Sequence, residues 1–202
     1  MNYTQGLPAD FFQQPTLQLA QSLLGCLLVK ETAEGTASGY IVETEAYIGP
    51  EDRAAHSYNN RRTKRTEVMF GEAGLIYTYK MHTHTLVNVV SGPLEKPEAI
   101  LIRAVEPYMG IDLMQKRRGT DNLKNLTSGP GKLTKALGIT MEDYGHSFST
   151  PPLVIVQGKI PNEISSGARI GIDNTGEAKE YPWRFWVTNN PFVSRHRKGT
   201  SK

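Results

Sequence analysis

The 202-residue chain has a single cysteine, Cys26. One thiol excludes an intrachain disulfide and any zinc site built on several cysteines, and it fits a reducing cytoplasm. Set in an apolar run, Cys26 reads as an inert core residue. No apolar run approaches the roughly 20 residues a membrane helix needs. The opening MNYTQGLPADFF lacks the basic-then-apolar order of a secretory signal. Internal repeats and low-complexity linkers are also missing. SGPGK lacks the spacing of a Walker loop, and there is neither a Gly-x-Ser-x-Gly elbow nor a dinucleotide fingerprint, which disfavours nucleotide hydrolysis.

What is present fits one globular domain spanning 1–202, with 1–10 and 198–202 as flexible ends. The net charge is only +3, but the cations cluster in RRTKR (61–65), KRR (116–118) and SRHRK near the C-terminus. Modest charge with concentrated basic patches points to a polyanionic partner. Each cluster taken alone is as readily a solvated face.

Residues 15–25 open with Pro15 and repeat apolar side chains at helical spacing, predicting a helix that stops near Gly25. CLLVKET and SGYIVETEAY predict two paired strands. GLIYTYKMHTHTLVNVV alternates long enough for two more, with a tight bend near Met81 to Thr85. EAILIRAVEP predicts a strand closed by Pro107, and GIDLMQKRR a helix. TSGPGKLTKALGI predicts a helix with Ser128 as N-cap, Pro130 in the first turn and Gly138 as its stop. PPLVIVQGK, GARIGI and WRFWVTN predict further strands. The expected fold is α+β: a curved antiparallel β-sheet core with surrounding helices.

Three strand faces carry chemistry. Side chains alternate along a strand, so Glu43, Glu45 and Tyr47 share one face and Val42, Thr44 and Ala46 the other. That strand ends in a Gly-Pro turn leading to His56. In LIYTYKM, Tyr77 and Tyr79 share a face opposite Thr78 and Lys80. In ILIRAVE, Arg103 is in phase with Leu101 and Val105, which predicts burial. A buried guanidinium needs a carboxylate. Glu43 and Glu45 are both candidates, as a structural ion pair or as part of a site. MHTHT sets His82 and His84 two apart, on one side of a strand; with His56 and a glutamate they could hold zinc or iron. A hairpin tip offers little to orient such ligands, and no metal is expected.

Together, IVETEAYIGPEDRAAHS, MFGEAGLIYTY, ILIRAVEP, SGPGKLTKAL and RFWVT resemble the alkyladenine (3-methyladenine) DNA glycosylase family, from about Leu23 to Arg197. The first is the most specific, because Glu-x-Tyr, a Gly-Pro turn and a His follow at fixed distances. The terminal SRHR is similar to bacterial members. The resemblance implies a cofactor-free, metal-free enzyme of base-excision repair that cuts the N-glycosidic bond of damaged purines in duplex DNA. It implies Glu45 as general base, Arg103 as a holder of the attacking water, and a backbone carbonyl near Val187 as a further water ligand. Tyr47, His56 and Tyr79 are then expected to line the base pocket. Asn88 is expected to screen the purine edge near guanine's exocyclic 2-amino position. A protruding β-hairpin enters the DNA minor groove. Between Tyr79 and Asn88 the chain is one residue shorter than the mammalian-type pattern. Met81 or His82, with His84 on the same hairpin, stands where those enzymes place a wedging tyrosine.

The chemistry suits these residues. A stacked base must swing out to be reached, and an apolar side chain can fill the gap it leaves. Alkylation at N3 or N7 makes the purine a cation, which aromatic faces attract. The enzyme then delivers water to a sugar with oxocarbenium character. Neutral lesions such as hypoxanthine and ethenoadenine leave less readily and need a proton, for which no acid is evident. Lys80, turned from the Tyr79 face, predicts no lysine nucleophile. Arg61, Arg62, Lys64 and Arg65 are expected along a phosphate backbone, with Lys132 and the amides after Ser128 on another phosphate. The expected partner is double-stranded DNA containing damaged purines, bound by a monomer in the bacterial cytoplasm, on the nucleoid when engaged, with no membrane contact. Two other classes compete: a non-catalytic nucleic-acid-binding module, and a His-dependent metalloenzyme.

Overall fold

A computed structural model describes residues 5–194. Its helices are α1 (Ala9–Phe12), α2 (Thr16–Ser22), α3 (Ile111–Arg118), α4 (Leu123–Leu126) and α5 (Pro130–Leu137). Its strands are β1 (Leu27–Thr32), β2 (Gly35–Tyr47), β3 (Ile76–Met81), β4 (His84–Ser91), β5 (Glu98–Met109), β6 (Leu153–Val156), β7 (Ile164–Gly167) and β8 (Arg184–Val187). They form one antiparallel sheet in the order β3-β4-β5-β2-β1-β6, with β8 pairing both β2 and β7. The sheet curls into a half-barrel within a single domain.

β2 organises it. One edge pairs with β5 along most of its length. The other edge pairs with β1 over Gly35–Tyr40 and then with β8 over Glu43–Glu45. Register shifts against β5 flank Glu43. Such irregularities bend a strand and re-aim its side chains, and here they fall where β2 changes partners.

Alternation sorts the two faces. Ile41, Ala46, Ile76, Val87, Val89, Ile100 and Ile102 join α2 and α5 in the main core. Thr44 on that side donates to the Ala20 carbonyl of α2 at 2.8 Å. The other face gathers Tyr77, Tyr79, Leu86, Ala99 and Leu101 into a smaller cluster. That second face carries the site.

Several elements depart from expectation. Residues 5–10 are not a loose end: Gly6 and Leu7 donate to the carbonyls of Ser149 and Ile155, and α1 begins at Ala9. α2 stops at Ser22, and the turn after it closes at Gly25 (φ 84°), whose backbone lies against Lys159 so tightly that a Cβ has no room. β5 runs past Pro107 to Met109, because Pro107 falls beside a register shift where its missing N–H breaks no regular ladder. Gly129 (φ 153°), not Ser128, precedes α5, whereas Pro130 and Gly138 start and end it as expected. Only Gly167 of GARIGI is in a strand. The rest forms a loop, because Arg169 and Ile170 are drawn to partners on and beside β2.

Candidate active site

On the second face lies a cavity of about 520 Å³. β3 supplies Tyr77 and Tyr79, whose ring centroids are 5.4 Å apart. His56 stands edge-on to Tyr79 at 4.6 Å, and its Nδ1 is 2.7 Å from the Tyr77 hydroxyl. Burial first, then the nearby Arg65 and Arg61, push the His56 pKa down to about 4. The imidazole is therefore neutral at physiological pH. Burial likewise pushes Tyr79 up to about 12 and Tyr77 well above its ordinary value, so both hydroxyls keep their protons. Asn88 lines the cavity and donates to the Tyr77 carbonyl at 3.0 Å. The site residues expected from sequence did not include Tyr77; its phase with Tyr79 was the signal.

Glu45 has no exposed surface and sits directly behind the wall. Oε1 accepts the Ile170 amide at 2.7 Å. Oε2 accepts the Tyr47 hydroxyl at 2.8 Å and Arg103 Nη1 at 3.3 Å. All three donors belong to residues lining the cavity. A carboxylate offers about four lone-pair positions, so among the described residues one on Oε1 has no donor. Glu43 is held mainly from β8 and the segment that follows it. Oε1 accepts Arg103 Nε at 3.1 Å, Arg184 Nε at 2.7 Å and the Ser194 hydroxyl at 2.8 Å, and Oε2 accepts the Ser194 amide at 2.7 Å. Arg103 therefore pairs with both acids. Burial works against its charge, but Glu45 and then Glu43 outweigh that, and its pKa lies above the ordinary value.

A second buried pair braces the wall. Arg169 and Asp52 are both fully buried, joined by two contacts, one at 2.9 Å between Nη2 and Oδ1. Asp52 also accepts the Ile48 and Ala54 amides, tying down the turn that leads to His56. The Arg169 guanidinium covers the Tyr47 ring at 4.7 Å and the Trp183 ring at 5.1 Å. Tyr47 thus has its hydroxyl on Glu45 and one face on a cation. Burial, then Glu45, holds its pKa well above the usual phenol value.

Val187 is placed elsewhere. Arg184, not Val187, pairs with Glu45 across the ladder, and the Val187 carbonyl accepts the Asn190 amide at 3.2 Å. The register of β2 against β8 sets that pairing, and the backbone reaching Glu45 is that of Ile170. The two histidines do not share a strand face either. His82 occupies the β3–β4 turn with φ 51°, while His84 begins β4 and packs on Gly131 of α5. Among the described residues, no group of three His, Cys, Asp or Glu is placed to hold a metal ion.

Met81, 46% exposed, stands at the cavity rim with His82 beside it at the turn. Pro130 at the start of α5 borders the same rim, next to Ser128. Lys132 Nζ donates to Asn125 Oδ1. Arg61, Lys64 and Arg65 are exposed, and Arg65 lies 6.0 Å from the Tyr79 ring. Arg62 is exposed but bridges Glu67 and Glu95, each at 2.7 Å. The 116–118 cluster is largely engaged internally: Lys116 and Arg117 contact Glu34, and Arg118 donates to the Leu126 carbonyl. Of the third cluster only Ser194 lies within the described residues.

The chain matches the methylpurine-DNA glycosylase family model over residues 10–191. It is 67% identical over 189 residues to the Bacillus licheniformis protein named "Putative 3-methyladenine DNA glycosylase", covering 94% of this chain and 96% of that one. A Bacillus subtilis protein of the same name is 65% identical with the same coverage. One from Listeria monocytogenes serovar 1/2a is 47% identical over 194 residues, 95% of this chain and 93% of that one. With its family resemblance running through the residues that build the cavity, the chain belongs to the methylpurine-DNA glycosylase family and is a DNA glycosylase.

Proposed function

We propose that the protein is a monofunctional DNA glycosylase of base-excision repair. It extrudes an alkylated purine, such as 3-methyladenine or 7-methylguanine, from duplex DNA into the aromatic cavity and leaves an abasic site. Hypoxanthine and ethenoadenine are candidate further substrates. The observation that carries this reading is the open position on a buried Glu45, held by three donors that line an aromatic cavity.

Entry of the base displaces the Tyr47 hydroxyl and opens Glu45 to a water. Glu45 orients that water towards C1′, with Arg103 and the Ile170 backbone fixing the carboxylate. The C1′–N bond breaks with its electron pair going to the base. The water oxygen bonds C1′, and its proton passes to Glu45. Tyr79 and the free face of Tyr47 hold the base. Neutral His56 and Asn88 read its edge. Met81, apolar and at the cavity rim, fills the gap in the helix. Arg61, Arg62, Lys64 and Arg65, with Ser128 and Lys132 across the rim, follow the phosphates, so affinity falls steeply with salt.

The test is to incubate the protein with duplexes carrying each lesion, without added metal, and identify the released base by chromatography. Free base with an intact abasic strand is expected. No lysine lines the cavity and Lys80 is exposed, so borohydride should trap no covalent complex. Strand nicking or trapping overturns the monofunctional assignment, and absence of any free base overturns the activity.

A further inference from the structure

We propose that Asp173 selects for charge in the base cavity, favouring a positively charged purine over a neutral one of the same shape; this rests on the glycosylase reading above. Asp173 is the sole carboxylate among the residues lining the cavity. The buried arginines nearby are answered by partners. Arg103 and Arg184 face Glu43 and Glu45, and Arg169 behind Tyr47 faces Asp52. His56 is held neutral. Asp173 forms no ion pair among the described residues. Two exposed cations, Arg61 and Arg65, lie near the aromatic wall, but Asp173 is the one acidic group bordering the cavity itself.

The loop that carries it is anchored on both sides. The Ile170 amide is bound to Glu45 at 2.7 Å, and Thr175 closes a turn on the Ile172 carbonyl through its hydroxyl at 2.7 Å and its amide at 3.2 Å. Asp173 therefore sits in a braced turn that borders the cavity. Arg65 and Arg61 are exposed and do not line the cavity, and on the glycosylase reading DNA phosphates neutralise them.

The direction of the effect follows from where charge moves during the reaction. An N3- or N7-alkylated purine enters as a cation. When the glycosidic bond breaks, the electron pair leaves with the base, which becomes neutral, and positive charge develops on the sugar. A carboxylate beside the base therefore stabilises the bound lesion more than the transition state. Asp173 strengthens capture and does not speed bond cleavage. Glu45, placed for the sugar, has the opposite weighting.

The experiment compares E45Q with E45Q/D173N, both unable to process bound lesion, by equilibrium binding. The probes are duplexes with one 7-methylguanine, a cation, or one 7-methyl-7-deazaguanine, its neutral isostere. With Asp173 present the cation is expected to bind about fivefold to tenfold tighter, as suits one partly exposed charge pair. D173N should erase that preference while changing affinity for the deaza duplex by less than about twofold. With Glu45 intact, D173N should raise KM for 7-methylguanine release more than it changes kcat. Equal weakening of both duplexes, or an unchanged ratio, overturns the proposal. Release of 7-methylguanine by the wild-type chain together with an unchanged ratio removes charge selection alone. No release by the wild-type chain removes the glycosylase reading and this inference with it.

Discussion

Glu43 and Glu45 share a strand, a face and an arginine, yet their oxygens are filled differently. Glu43 takes four donors, three on Oε1 and one on Oε2, and of these only Arg103 lines the cavity. Glu45 takes three, each from a residue of the cavity wall, and keeps one position open. Equal burial therefore conceals unequal roles. A buried carboxylate held by donors away from the cavity acts as a structural node, whereas one held by the cavity wall is placed to bind and orient a solvent molecule when the wall opens. Glu43 has the contacts of a structural ion pair, and Glu45 is the carboxylate we propose as the general base.

The largest effect should come from E45Q. Single-turnover release of 7-methylguanine is expected to fall about 10²–10⁴-fold, the range for loss of a general base, with lesion-duplex affinity retained. Release at the wild-type rate would erase the contrast between the acids. E43Q should show the reverse signature, chiefly in stability. It leaves Arg103 and Arg184 facing a neutral amide, which by analogy with broken buried pairs costs about 3–5 kcal/mol in urea unfolding. D52N, stranding the fully buried Arg169, should cost a similar amount. If E43Q proves neutral in unfolding but abolishes release, the roles assigned to the two acids must be exchanged.

Smaller effects sharpen the picture at the rim. M81A should slow release from duplex by roughly tenfold, the scale of part of an unstacking cost, and leave release from a single-stranded lesion oligonucleotide nearly unchanged. Equal slowing of both would remove the wedge role. His56 gives the smallest signal. Its folded pKa, about 4, lies below the ordinary value of 6.5. Between those values the unfolded chain binds more protons, so His56's contribution to stability is full above about 6.5 and is lost as pH falls towards 4. H56Q should flatten the stability–pH curve in that window. A slope that persists in H56Q assigns the effect to another group.

The strand faces were legible because alternation is a local property of extended backbone. The row Glu43, Glu45 and Tyr47, the Tyr77–Tyr79 face and the burial of Arg103 all follow from it. Helix α5 was legible too, apart from Gly129 standing where Ser128 was expected as the cap. What escaped is non-local. GARIGI has the look of a strand, but Arg169 is held by Asp52 and Ile170 by Glu45. The backbone carbonyl near Val187 was expected from the family resemblance alone, and the register sets Arg184 rather than Val187 opposite Glu45. The spacing of His82 and His84 suggested a shared face until the turn at His82 removed it from the strand.

The sequence by itself determined that two carboxylates and a tyrosine would lie in a row, since backbone geometry sets alternation whatever surrounds it. Which donors reach each carboxylate, and whether they come from the cavity wall, depends on the folded chain. The deciding donors, Ile170 for Glu45 and Arg184 and Ser194 for Glu43, arrive from 125 to 151 residues further along the chain. Filling a lone pair requires a donor within about 3 Å, and no periodicity in the strand encodes which distant donor will come that close.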